Sequence, residues 1–158
     1  MKKIIYIAFA LLVATNCSAQ IESAAKSVFS LTTFKKDGTL LASTHGVFVG
    51  DKGEAISSWK PFVGADSAVV IEANGKQSVV SALIGANELY NVCKFKVDGN
   101  TQPASVATAA SKKGEKVWIL QYSVNKPLID QRNVQSVEPF MEKYAYYLFS
   151  SNIDESAD

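Results

Sequence analysis

The sequence predicts an all-β fold, and three observations carry that expectation. Short segments rich in Val, Ile, Thr, Phe and Tyr recur about every 8 to 12 residues. Turn signals separate them, Asn74-Gly75 being the strongest. Sustained helical periodicity is absent; only "IESAAKSVF" reads as one or two turns of helix. Evenly spaced strands of this kind argue for an antiparallel barrel or sandwich.

Taken in order, "SVFSLTTF" (27–34) alternates as a half-buried strand, and "KKDGTL" brings an Asp-Gly turn. "LLASTHGVFVG" (40–50) follows, closed by the turn "DKG". "AISS" (55–58) is a short strand that runs into a bend at Lys60-Pro61. "SAVVIEA" and "QSVVSALIGA" flank Asn74-Gly75 as a hairpin, and "NVCKFKV" (91–97) is the next strand. "DGNTQPAS" and "ATAASKKGE" are polar connections of small residues, the second reading as a domain linker. Beyond it come "KVWILQYS" (116–123), "NVQSVEP" (133–139) and "YAYYLFSS" (144–151). That linker divides the remainder of the chain into residues 20–111 and 112–158.

At 158 residues and 47% hydrophobic, the chain suits one medium domain or two small ones. Residues 1–19 read as a secretory signal: a charged start, an apolar run short for a bilayer span, and "CSA" before Gln20. The expected cut lies between Ala19 and Gln20. The alternative is a lipoprotein signal with Cys17 lipidated, although Asn16 is larger than the residue usually tolerated before such a cysteine. Both readings take the chain out of the cytoplasm, and membrane attachment is expected only if Cys17 is lipidated. Lys2 and Lys3 leave with the signal, so 14 basic residues face 15 acidic ones and the remainder carries −1. A near-neutral domain lacks the electrostatic footprint of a nucleic-acid binder. Cys93 is then a lone thiol in an apolar strand, which fits a small core residue, and no internal disulfide is available to it. One His and one useful Cys supply no metal-ligand set, and nothing calls for a cofactor.

The order of segments resembles the trypsin/chymotrypsin-like serine proteases, especially the secreted HtrA (Deg) type. In that family a strand and a Gly turn lead to a short strand that delivers a histidine in "TNxHVV". "THGVFVGDKGEAISSWKPFVGA" has this layout, with Lys60 at the histidine position. A hairpin and "GxDxxxDLAVLKV" come next in the family, the second aspartate orienting the histidine. "IEANGKQSVVSALIGANELYNVCKFKV" follows that pattern, with Asn91 at the aspartate position. "KKGEKVWILQYS" is similar to the family's "VGDxVxAIG", the first strand of its second barrel. The resemblance covers residues 26 to 158. It implies a chymotrypsin-like antiparallel β-barrel, the first barrel complete and the second partial. The serine position falls beyond Asp158; Ser156 lacks the flanking glycines that would build an oxyanion hole.

These substitutions bear on chemistry. A serine nucleophile needs a base that is neutral near pH 7, as histidine can be. A lysine serves only when buried, and Trp59 and Phe62 are the residues placed to bury Lys60. An amide at the orienting position cannot stabilise an imidazolium, and the Asp-to-Asn change in such triads costs about 10⁴ in turnover. His45 reads as a partly buried strand residue or a strand-edge residue. Trp118 reads as core, and the tyrosines of "KYAYYLF" as core and edge packing. The expectation is an inactive protease-like domain that binds a peptide or protein ligand at a cleft marked by Trp59, Lys60 and Phe62. The alternatives are an active endopeptidase of incomplete sequence and a non-catalytic envelope scaffold.

Overall fold

Period-2 alternation decides which side chains fill the interior. The computed structural model of the chain describes residues 20–122, 128–140 and 144–150. Residues 20–25 form a short helix that leads through a turn into β1 (Val28–Phe34). β1 buries Phe29, Leu31 and Thr33 and turns Ser30 and Thr32 outward. β2 (Leu40–Phe48) buries Phe48, β3 (Glu54–Ser57) buries Ala55 and Ser57, and β4 (Ser67–Glu72) buries Ala68 and Val70. β5 (Gln77–Asn87) is mostly exposed, whereas β6 (Val92–Val97) buries Cys93, Phe95 and Val97 and points Lys94 and Lys96 outward.

These six strands close an antiparallel barrel in the order β1-β2-β3-β6-β5-β4. Phe29 lies at its centre, with ring centroids 4.6 Å from Phe48 and 6.0 Å from Phe95. Offset and edge contacts of this kind suit the aromatic quadrupole. β3 and β4 follow each other in the chain but are not neighbours in the barrel, because β3 pairs with β6. The connection between them carries a 3₁₀ turn, Lys60–Phe62, and it is this crossover that builds the candidate site. The two hairpin signals form as expected. Asp37 accepts from the Thr39 N–H and hydroxyl, and Asn74 accepts from the Lys76 N–H, with Gly38 and Gly75 at positive φ.

The chain divides into two compact units: among the described residues, 20–106 with 121–122, and 107–120 with 128–140 and 144–150. The second holds a three-stranded sheet, β7-β8-β9, of β7 (Lys116–Gln121), β8 (Leu128–Phe140) and β9 (Tyr144–Phe149). β8 and β9 are antiparallel, and the N–H of Val134, a buried residue, donates to the Glu115 carbonyl at 3.0 Å. Two expectations need correction here. β8 starts at Leu128, several residues before the expected 133; it lies between β7 and β9 in the sheet, and within it Arg132 donates to the Asp130 carboxylate and to the Ser150 carbonyl. The charges that look like loop residues in one dimension are thereby satisfied within the sheet. Trp118 is 38% exposed, so it is not a core residue. The signal segment with Cys17 and Ala19, the side chains of Tyr144 and Tyr146, and Ser156 lie outside the described residues.

Candidate functional site

The bend after β3 is shaped by Pro61, whose fixed φ suits the first turn of a helix. The 3₁₀ turn closes with Phe62 N–H donating to Trp59 carbonyl (2.9 Å) and Val63 N–H to Lys60 carbonyl (3.1 Å). Its first N–H groups have no partner within the turn. Asn91 supplies both: its Oδ1 accepts the Lys60 N–H at 2.8 Å and its backbone carbonyl accepts the Trp59 N–H at 3.3 Å. Lys60 and Asn91, 31 positions apart, are thus brought together by a direct hydrogen bond.

Asn91 reaches this place by leaving the strand. The sequence reading starts the strand at residue 91, but Asn91 sits at φ 50 in a left-handed turn and β6 begins at Val92. Asparagine tolerates that conformation better than most residues because its short amide bonds locally. The Asn91 N–H donates to the Glu88 carbonyl (3.1 Å), and Asn87 Oδ1 accepts the Tyr90 N–H (3.2 Å), so the loop braces itself. Asn91→Ala is expected to lower stability by about 1–2 kcal/mol, through a lost cap and a strained backbone. Asn91→Asp keeps the acceptor and should stay close to the parent. Urea midpoints of the two variants, with unchanged slopes, check this.

Trp59 and Phe62 stack with ring centroids 6.4 Å apart and planes 10° from parallel, and Phe62 meets Phe95 at 5.4 Å. Both are half-buried and pack on the barrel core, so they join the interior to the bend. Trp59 Nε1 donates to Glu88 Oε1 at 3.3 Å. Glu88 went unnoticed in the sequence reading, and no local signal marks it, since it lies 29 residues from Trp59. Lys60 itself is exposed. It therefore lacks the burial that a lysine base requires.

Cys93 is buried, and its Sγ donates weakly to the carbonyls of Ser57 (3.5 Å) and Ser58 (3.4 Å). Burial pushes the thiol up from its ordinary value, so the nucleophilic thiolate is disfavoured. A raised folded-state value stabilises the fold fully below the ordinary thiol pKa of 9.0. That contribution is lost as the pH climbs from there through the folded value. Ellman's reagent at pH 8 should leave Cys93 unmodified in the native chain and modify it in urea, with mass spectrometry locating the adduct.

His45 is exposed on β2, opposite Ser30 of β1, one residue beyond the stretch of β2 that pairs with β3. This is the strand-edge reading. Its ring lies 6.4 Å from that of Tyr122, and its carbonyl accepts the Ser57 hydroxyl at 2.7 Å. Among the described residues, no group of three His, Cys, Asp or Glu side chains is placed to hold a metal ion.

No protein-family model matches this sequence, and no curated protein matches it. Solved structures do. The crystal structure of the serine endoprotease from Yersinia pestis aligns with a TM-score of 0.65 at 19% identity, over 74% of this chain and 43% of that one. The fold is chymotrypsin-like. At this identity the likeness speaks for the fold alone, and the chain spans less than half the length of that protease. Within that frame Lys60 and Asn91, the two positions at which the sequence resemblance expects a histidine and an aspartate, lie against each other.

Proposed function

We propose that the chain is an exported, protease-like domain that does not cleave peptides and acts by binding peptide or protein segments around Trp59, Lys60 and Phe62. One observation carries the reading. The two residues joined at this bend are an exposed lysine and a neutral amide, and the amide oxygen is held by the lysine's own backbone N–H. Such a pair offers neither an imidazole base nor a carboxylate to steady one. What remains is a half-buried aromatic pair beside an exposed cation, a combination suited to contact rather than turnover.

The test is incubation of the purified chain with fluorescein-labelled casein and with a fluorophosphonate probe. Neither release of fluorescent fragments nor covalent labelling is expected, while anisotropy should report casein binding that Trp59→Ala and Lys60→Glu both weaken. Time-dependent labelling of the parent chain, or cleavage that survives repurification, overturns the proposal. Export is part of the same proposal. Intact mass from producing cells should correspond to a chain starting at Gln20, whereas incorporation of labelled palmitate would place a lipid on Cys17 and the protein on a membrane.

A further inference from the structure

Among the described residues of the barrel, the second half of β5 pairs with a strand on one side only. β4 pairs with β5 at Gln77, Ser78 and Val79, and there the register ends. β5 continues to Asn87, and from Val80 onward it pairs with β6. Along residues 81–87 the other edge faces no strand of the barrel. Open edges are templates for a further strand, and proteins usually guard them with charge. Two bulges bend this stretch, at Val80/Ala82 and Leu83/Gly85, yet residues 77–87 contain no charged side chain. Leu83 and Ile84 are 48% and 53% exposed.

A notch adjoins this edge. Gly85 lies opposite Lys94 of β6, which lies opposite Ile56 of β3, so these three residues share the outer face. Because Gly85 has no side chain, an open apolar depression of about 290 Å³ remains, bordered by Ile56, Val92 and Lys94. Of the residues that line it, Lys94 is the charged one, and further along the same face Lys96 is matched by Glu54 opposite it.

We propose that this edge is a docking surface for an extended segment of a partner protein that carries a bulky apolar side chain next to an acidic one. The segment adds to the sheet along residues 81–87, where main-chain hydrogen bonds supply affinity. Its apolar side chain fills the notch over Gly85, and its carboxylate meets Lys94. Charge selects this occupant: an uncharged edge repels nothing, and Lys94 beside it favours an acid. Asn87, at the end of this edge, also braces the Asn91 loop, whereas Gly85 and Lys94 take no part in the bend at Lys60.

The test uses the whole chain and a fluorescein-labelled ten-residue peptide of alternating threonine and leucine with one glutamate beside the central leucine. Anisotropy should show saturable binding, about tenfold weaker for a glutamate-to-lysine peptide and abolished by N-methylation of the peptide backbone. A Cβ at Gly85 meets no atom within 4 Å, and β-branched residues suit strands, so Gly85→Val should fold, as a thermal melt by circular dichroism would verify. That variant should bind about tenfold more weakly or worse, and Lys94→Glu should reverse the preference between the two peptides. Undiminished binding by Gly85→Val, absence of saturable binding, or a dimer that Ile84→Lys converts to monomer would each overturn the proposal. The last result would assign the edge to a second copy of the chain.

Discussion

Replacing Phe29 with alanine is expected to cost about 3–5 kcal/mol, the range for emptying the space of a large buried aromatic ring. Phe29 is fully buried and touches both other rings at the barrel centre, Phe48 and Phe95. It also sits on β1, which pairs with β2 on one side and β4 on the other and so closes the barrel. The loss compares with a total stability of about 5–15 kcal/mol for a typical domain. The variant should therefore show a large drop in its urea midpoint or no cooperative transition at all. Phe29→Leu keeps most of the volume and should cost about 1.5 kcal/mol or less, which separates cavity formation from loss of ring geometry. Equal midpoints for Phe29→Ala and the parent would mean that the barrel interior is not packed as described.

Gly53→Ala should be almost as damaging, for a different reason. Gly53 has φ 90, a conformation that L side chains rarely adopt, and it is buried. A Cβ there would run into the Val97 carbonyl group, which is backbone and cannot swing aside. Its surroundings are fixed as well: the Gly53 N–H donates to Thr101 Oγ1 (3.1 Å), the Gly53 carbonyl accepts the Val97 N–H (3.0 Å), and the Thr101 hydroxyl donates to the Gly50 carbonyl (2.7 Å). Backbone strain and overpacking together should cost about 3 kcal/mol or more. Thr101→Ala removes only the side-chain clip and should cost about 1 kcal/mol. Differential unfolding in urea ranks the two; a Gly53→Ala variant as stable as Thr101→Ala would show that the turn relaxes freely.

The core and the candidate site are not independent. Phe95 lies in the barrel interior and touches Phe62, which stacks on Trp59, whose indole N–H reaches Glu88. A change in packing at Phe95 is therefore transmitted to the bend that carries Lys60. The casein binding proposed for that bend should weaken in core variants that still fold, even though their substitutions lie outside it.

The sequence by itself determined the strands of the barrel, the two Asx-Gly turns, and the identity of residues 60 and 91. Alternation is a local signal, because burial on one face of a strand writes a period of two directly into neighbouring residues. Turn chemistry is equally local, since an Asp or Asn side chain bonds a backbone group two residues away. The tertiary structure alone decided the rest. Pairing of β3 with β6 set Asn91 against Lys60 across 31 positions, and the capping need of a 3₁₀ turn drew Asn91 out of the strand where its neighbours had suggested it would begin. The reach from Trp59 to Glu88 and the bond from Arg132 to the Ser150 carbonyl are likewise settled by surroundings. So are the 38% exposure of Trp118 and the end of the β4 pairing at Val79 of β5. Each depends on which segment arrives alongside, and that choice leaves no local imprint, because its free energy is realised only when distant parts of the chain have already met.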